Sequence, residues 1–90
     1  MTQPPIGRAR LLDVSSSGAR LREDRALAVD SVHDFSFDLA GETVRVRARV
    51  RHCLPEETGS GYQVGVQFLD VEDAGARRIT EYARRRRGRA

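Results

Sequence analysis

The chain has 90 residues, 39% of them hydrophobic and 32% charged, which suits one small globular domain and argues against a disordered segment. Its net charge of +3 comes from sixteen arginines and no lysine, and five of those arginines fall among residues 84–90. With these set aside, eleven arginines face thirteen carboxylates, a net of −2, so the body is not a basic nucleic-acid surface despite the high pI.

Residues 1–7, MTQPPIG, hold two prolines and a glycine and read as a loose lead-in. They lack the basic and apolar regions of a signal peptide. No apolar run approaches the ~20 residues of a membrane span, and a soluble cytoplasmic protein is expected. Residues 8–13, RARLLD, read as a first strand, broken by SSSG. ARLR, residues 19–22, alternates apolar and basic and predicts a second strand. After the polar Glu23-Asp24-Arg25, ALAV at 26–29 is expected to be a third, short extended piece.

Two period-2 runs follow. His33, Phe35, Phe37 and Leu39 alternate with polar residues, then Val44, Val46, Ala48 and Val50 alternate with Arg45, Arg47, Arg49 and Arg51. Ala40-Gly41 between them predicts a two-residue hairpin turn. That register sets Phe37 opposite Val44 and Phe35 opposite Val46 on one face. On the other face it sets Asp34 opposite Arg47 and Asp30 opposite Arg51. A one-residue slip would mix the faces.

LPEETGSG, residues 54–61, reads as a loop, and YQVGVQF, residues 62–68, as another strand. Gly65 lies opposite the Tyr62, Val64, Val66, Phe68 face and leaves room for a close approach. Residues 70–87 predict a helix with Asp70 as N-cap, Glu72 and Asp73 in its first turn and arginines in its last. Ile79, Tyr82 and Ala83 form its apolar stripe, and Gly75 weakens its start. Five or six short antiparallel strands before one helix predict a mainly β fold, in which a small sheet curls into a barrel to hide its edges.

Few residues suggest chemistry. The arginines at 45, 47, 49 and 51 could be a phosphate ridge, but the favoured reading is a solvated strand face paired to Asp30 and Asp34. The arginine tail could bind nucleic acid or an anionic membrane. It lacks interleaved aromatics, and a helix end matched to its dipole is favoured. His33 falls on the apolar face, at the core or its rim. His52 and Cys53 adjoin, but no orienting group or oxyanion motif completes a nucleophilic site. With one cysteine there is no intrachain disulfide, and no Cys-based metal site is expected. No cofactor and no enzyme activity are expected.

The stretch DVSSSG, residues 13–18, has the spacing Asp-x-Ser-x-x-Gly. Asp13 can accept from the N–H groups of guanine, Ser15 can donate to a phosphate or base edge, and Gly18 permits a close backbone approach. An Asx-type hairpin turn is the ordinary reading of the same residues.

Over residues 8–84 the chain resembles the PilZ domain, a bacterial cyclic di-GMP receptor family. Asp13, Ser15 and Gly18 match its D/N-x-S-x-x-G motif. RARLLDVSSSGARLR looks like its first hairpin and TVRVRARVRHC like its central strand. GYQVGVQF is similar to its late strand ending Gly-x-x-Phe, here Gly65 and Phe68. The resemblance implies a six-stranded antiparallel β-barrel with a C-terminal helix, followed here by a basic tail at 85–90. It also implies an R-x-x-x-R pair well ahead of the motif. Among the residues before Asp13 only Arg8 and Arg10 are arginine, and they stand two apart. Arg45/Arg49 and Arg47/Arg51 have the spacing, but on a strand.

The expectation is a degenerate PilZ module with weak or no cyclic di-GMP binding, acting through an unidentified protein partner as a monomer or homodimer. The alternatives are a true receptor in which Arg8, Arg10 or a partner chain completes the site, and a nucleic-acid or anion binder using the tail.

Overall fold

The computed structural model describes residues 9–57 and 59–87. The lead-in at 1–7, Arg8 and the last three residues of the basic tail lie outside them. The elements run β1 (Arg10–Val14), β2 (Gly18–Glu23), β3 (Val32–Leu39), β4 (Glu42–Pro55), β5 (Tyr62–Val71) and α1 (Asp73–Arg87). They form one antiparallel sheet of five strands in the order β1-β2-β5-β4-β3. The sheet curls into a half-barrel, and the amide of Ala9 just ahead of β1 donates to the carbonyl of Ser36 on β3 at 2.8 Å.

The hairpin β3–β4 has the predicted register, with Phe37 opposite Val44, Phe35 opposite Val46 and Asp34 opposite Arg47. Its turn residues Ala40 (φ 51°) and Gly41 (φ 85°) are both left-handed, the geometry whose twist matches that of the flanking strands. The alternation therefore places Phe35, Phe37, Leu39, Val44, Val46, Ala48 and Val50 in the core. Leu21, Val64 and Val66 join them from β2 and β5. Phe37 stacks on Phe68 with centroids 6.5 Å apart. His33 is half-buried at the rim, edge-on to Phe35 and 2.8 Å from the Ser31 hydroxyl.

Three expectations need correction. Among the described residues there is no sixth strand: residues 26–28 make no ladder, and 28–31 form a turn closed by the Ser31 amide on the Ala28 carbonyl at 3.1 Å. Asp30 stands there at φ 73°, a sharp turn that ends any extended run. The segment is held to β4 by two bonds at Val50, from Asp30 N and to Ser31 O, and by the Leu27 amide on Cys53 Sγ at 3.5 Å. The second correction follows, because with Asp30 outside β3 no Asp30–Arg51 cross-strand pair exists.

Third, Asp70 is not the helix cap. β5 continues to Val71, pairing Asp70 with Arg47 and Val71 with Val46. Glu72 occupies the cap position, its carbonyl accepting the first helical bond from Ala76 at 2.8 Å. Ile79 is buried, and a side chain on Gly75 would stand 3.0 Å from Val44 Cγ1. A side chain there would need Val44 to give by a few tenths of an ångström, so the glycine that weakens the helix start also eases its contact with the sheet.

Glu23 shares the inward side of β2 with Leu21. Among the described residues its Oε1 is buried without a hydrogen-bond partner. Burial, helped by the neighbouring Asp24 carboxylate, pushes its pKa above 4.5. The folded state therefore disfavours the charged form, a penalty absent at low pH and complete once pH has risen past the raised value. Glu23→Gln is expected to raise the thermal midpoint at neutral pH, and the gain should vanish below 4.5, which paired melts at the two pH values would measure.

Candidate functional site

Two β-bulges set up the site. On β1 the pairing with β2 shifts between Leu11 and Asp13. Leu12 and Asp13 both turn outward, while Val14 stays in the core. On β4 the pairing with β5 shifts between Val50 and His52, so Arg51 and His52 are both exposed. A bulge inserts one residue and re-aims its neighbours. Here the two re-aimed segments belong to one cross-strand row, in which Asp13 pairs with Arg20, Arg20 with Gly65 and Gly65 with His52.

The row and the adjoining turn enclose an open pocket of about 320 Å³, which Asp13, Ser15, Gly18, Arg20, Arg51 and His52 help to line. Asp13 is half exposed, 3.8 Å from the Arg20 guanidinium. Its Oδ1 accepts from the Val14 amide at 2.9 Å. The Ser15 hydroxyl donates to the Gly18 carbonyl at 3.3 Å and lies 3.4 Å from the Ser17 hydroxyl. The turn is tied down from both sides, by the Ser15 amide on the Gly18 carbonyl at 2.8 Å and the Phe68 amide on the Ser17 carbonyl at 2.9 Å.

The two glycines of the pocket answer to packing. A side chain on Gly18 would run into the backbone carbonyl of Val66, which cannot yield as a flexible side chain can. Gly18 thus permits β2 to pair closely with β5 whether or not a ligand is present. The room left at Gly65 is taken by the His52 imidazole, which lies across the space a β-carbon would fill.

Asp13, Ser15 and Gly18 therefore come together as the spacing predicts, and Arg10 does not join them. Arg10 pairs with Arg22 two residues further along β2 and lies outside the pocket, while Arg8 lies outside the described residues. The cations at the pocket are Arg20 and Arg51. On sequence alone its place on a strand argues against Arg51; β4 carries it to the motif because β5 alone separates β4 from β2. The sequence signal that could have found it is Gly65, a small residue inside a strand where two neighbours converge.

The arrangement offers a carboxylate for N–H donors and two guanidiniums for anions, the latter suited to paired contacts with phosphate. Among the described residues no cluster of His, Cys, Asp and Glu could hold a metal ion. Compared with known families, the chain matches the PilZ domain over residues 3–85, from ahead of the Asp13–Gly18 turn to the last turn of α1. The chain belongs to the PilZ domain family. No curated protein and no solved structure matches it. PilZ domains are binding and adaptor modules of cyclic di-GMP signalling rather than enzymes. No described helix of this one is long and apolar enough to cross a membrane.

Because the Val66 carbonyl is fixed in the sheet, Gly18→Ala is expected to destabilise the ligand-free domain by ~1–3 kcal/mol. Urea denaturation without nucleotide measures this, and an unchanged midpoint would return Gly18 to a purely ligand-facing role.

Proposed function

We infer that this PilZ domain has a reduced nucleotide site and acts through contacts with another protein, binding cyclic di-GMP weakly or not at all. The observation that carries the reading is how the motif spends its polar groups. Asp13 is engaged by the Val14 amide and Arg20, and Ser15 by Gly18 and Ser17. These groups work as hairpin architecture. Arg10 stands away from the pocket, so no described arginine ahead of the motif reaches a ligand there. Each missing charge-assisted contact removes ~1.5–3 kcal/mol, and two together weaken binding roughly a hundredfold or more.

One observation favours a second reading, a receptor in its own right. Arg51 lines the pocket and takes part in no ion pair among the described residues, so it could grip a phosphate beside Arg20. Isothermal titration with cyclic di-GMP separates the two. The reduced site predicts no resolvable heat or a Kd well above the micromolar range. Micromolar or tighter binding, weakened by Asp13→Ala and by Arg51→Ala, would establish the receptor instead.

A further inference from the structure

We propose that the outer face of β3, β4 and β5, centred on Arg49, is a docking surface for an extended acidic segment of a partner protein. The proposal rests on the reading that the domain acts through protein contacts, and it names the surface and the chemistry of the partner.

β4 sends Val44, Val46, Ala48 and Val50 into the core and turns Arg45, Arg47, Arg49 and Arg51 to solvent. Cross-strand neutralisation would make such a ladder inert, yet among the described residues only Arg47 has it, bonded to Asp34 at 3.0 Å. Asp34 raises the pKa of Arg47 through that hydrogen bond. Arg45, Arg49 and Arg51 enter no described ion pair.

Arg49 is flanked by uncharged neighbours, Val32 on β3 and Gln67 on β5. Val32 is 43% exposed. A third bulge, between Arg47 and Ala48, leaves Leu69 of β5 without a partner and 47% exposed. An uncommitted guanidinium between exposed aliphatic groups has the composition of an interface centre, where arginine is enriched.

The charge distribution selects the partner. The acidic pairs Glu23-Asp24, Glu56-Glu57 and Glu72-Asp73 lie at strand ends, in loops and at the start of α1, and on the face itself the four arginines of β4 stand against Asp34, Asp38 and Asp70, a net of +1 on a body of net negative charge. Such segregation steers and orients an acidic partner. Arginines on alternate residues of β4 stand ~6.8 Å apart, the repeat at which an extended peptide presents the side chains of one face. A continuous phosphate chain fits less well. The face carries no Phe or Tyr on which the bases of such a chain could stack.

The probe is a short synthetic peptide with glutamate at every second residue, titrated by fluorescence anisotropy into the full chain at low and high salt, beside an oligothymidylate. The expected result is peptide binding that weakens with salt, falls at least tenfold with Arg49→Glu and is unchanged by Arg77→Glu on α1. No peptide binding, equal loss with both variants, or oligothymidylate binding as tightly as the peptide would overturn the proposal. Cyclic di-GMP titration of the same proteins keeps the two readings distinguishable. Tight nucleotide binding would sink the reduced site while the peptide result stands, and absent peptide binding would sink the docking face alone.

Discussion

The carbonyl of Val66 lying hard against Gly18 is the contact on which the arrangement depends. β1 with β2 and β3 with β4 are two hairpins, and β5 is the strand that bonds to both. A larger residue at 18 would press on the Val66 carbonyl and strain the β2–β5 pairing. The pocket depends on the same join, since its residues come from β1 and β2 on one side and β4 on the other. A glycine that in a ligand motif would be read as space for a nucleotide is here the hinge of the sheet itself. The same economy holds at Gly65, where the absent side chain admits the His52 ring from the neighbouring strand.

Around that join, bulges do what alternation cannot. Strict period-2 strands would send Leu12 and Asp13, or Arg51 and His52, to opposite faces. One extra residue on β1 and one on β4 give Leu12-Asp13 and Arg51-His52 a shared outward side while Val14 and Val50 stay buried. Core and polar row are thus satisfied by the same short strands. The third bulge, at Leu69, instead exposes an aliphatic side chain next to the arginine ladder. Arg51 belongs to both surfaces, as the last rung of the ladder and a wall of the pocket. Whatever occupies one alters the electrostatic field at the other.

A domain this small buries a thin core and has little stability to spare. Its inward apolar set is nonetheless complete on four strands, with Phe35, Phe37, Leu21, Val50 and Val64 fully enclosed. Glu23 is the exception, an inward carboxylate whose burial works against its charge. The remaining polar groups lie on the outside, which leaves the outer sheet face available for recognition.

The sequence by itself determined the β3–β4 hairpin, its register and its buried face, because side-chain alternation and a two-residue turn are local and a slip would have exposed Phe35 and Phe37. It also determined that Asp13, Ser15 and Gly18 come together at one turn, and that Gly65 leaves room for a close approach. It over-read residues 26–29 as a strand, since four apolar-leaning residues look extended until a left-handed Asp30 turns the chain. It carried the helix three residues too far forward, because nothing local says that β5 keeps pairing with β4 through Val71. Tertiary structure alone decided which arginines meet the motif. Strand order puts β5 between β2 and β4, so Arg20 and Arg51, distant in the chain, become neighbours while Arg10 does not. The left-handed turn at Asp30, outside β3, leaves Arg51 unneutralised and so bears on the charge of the outer face.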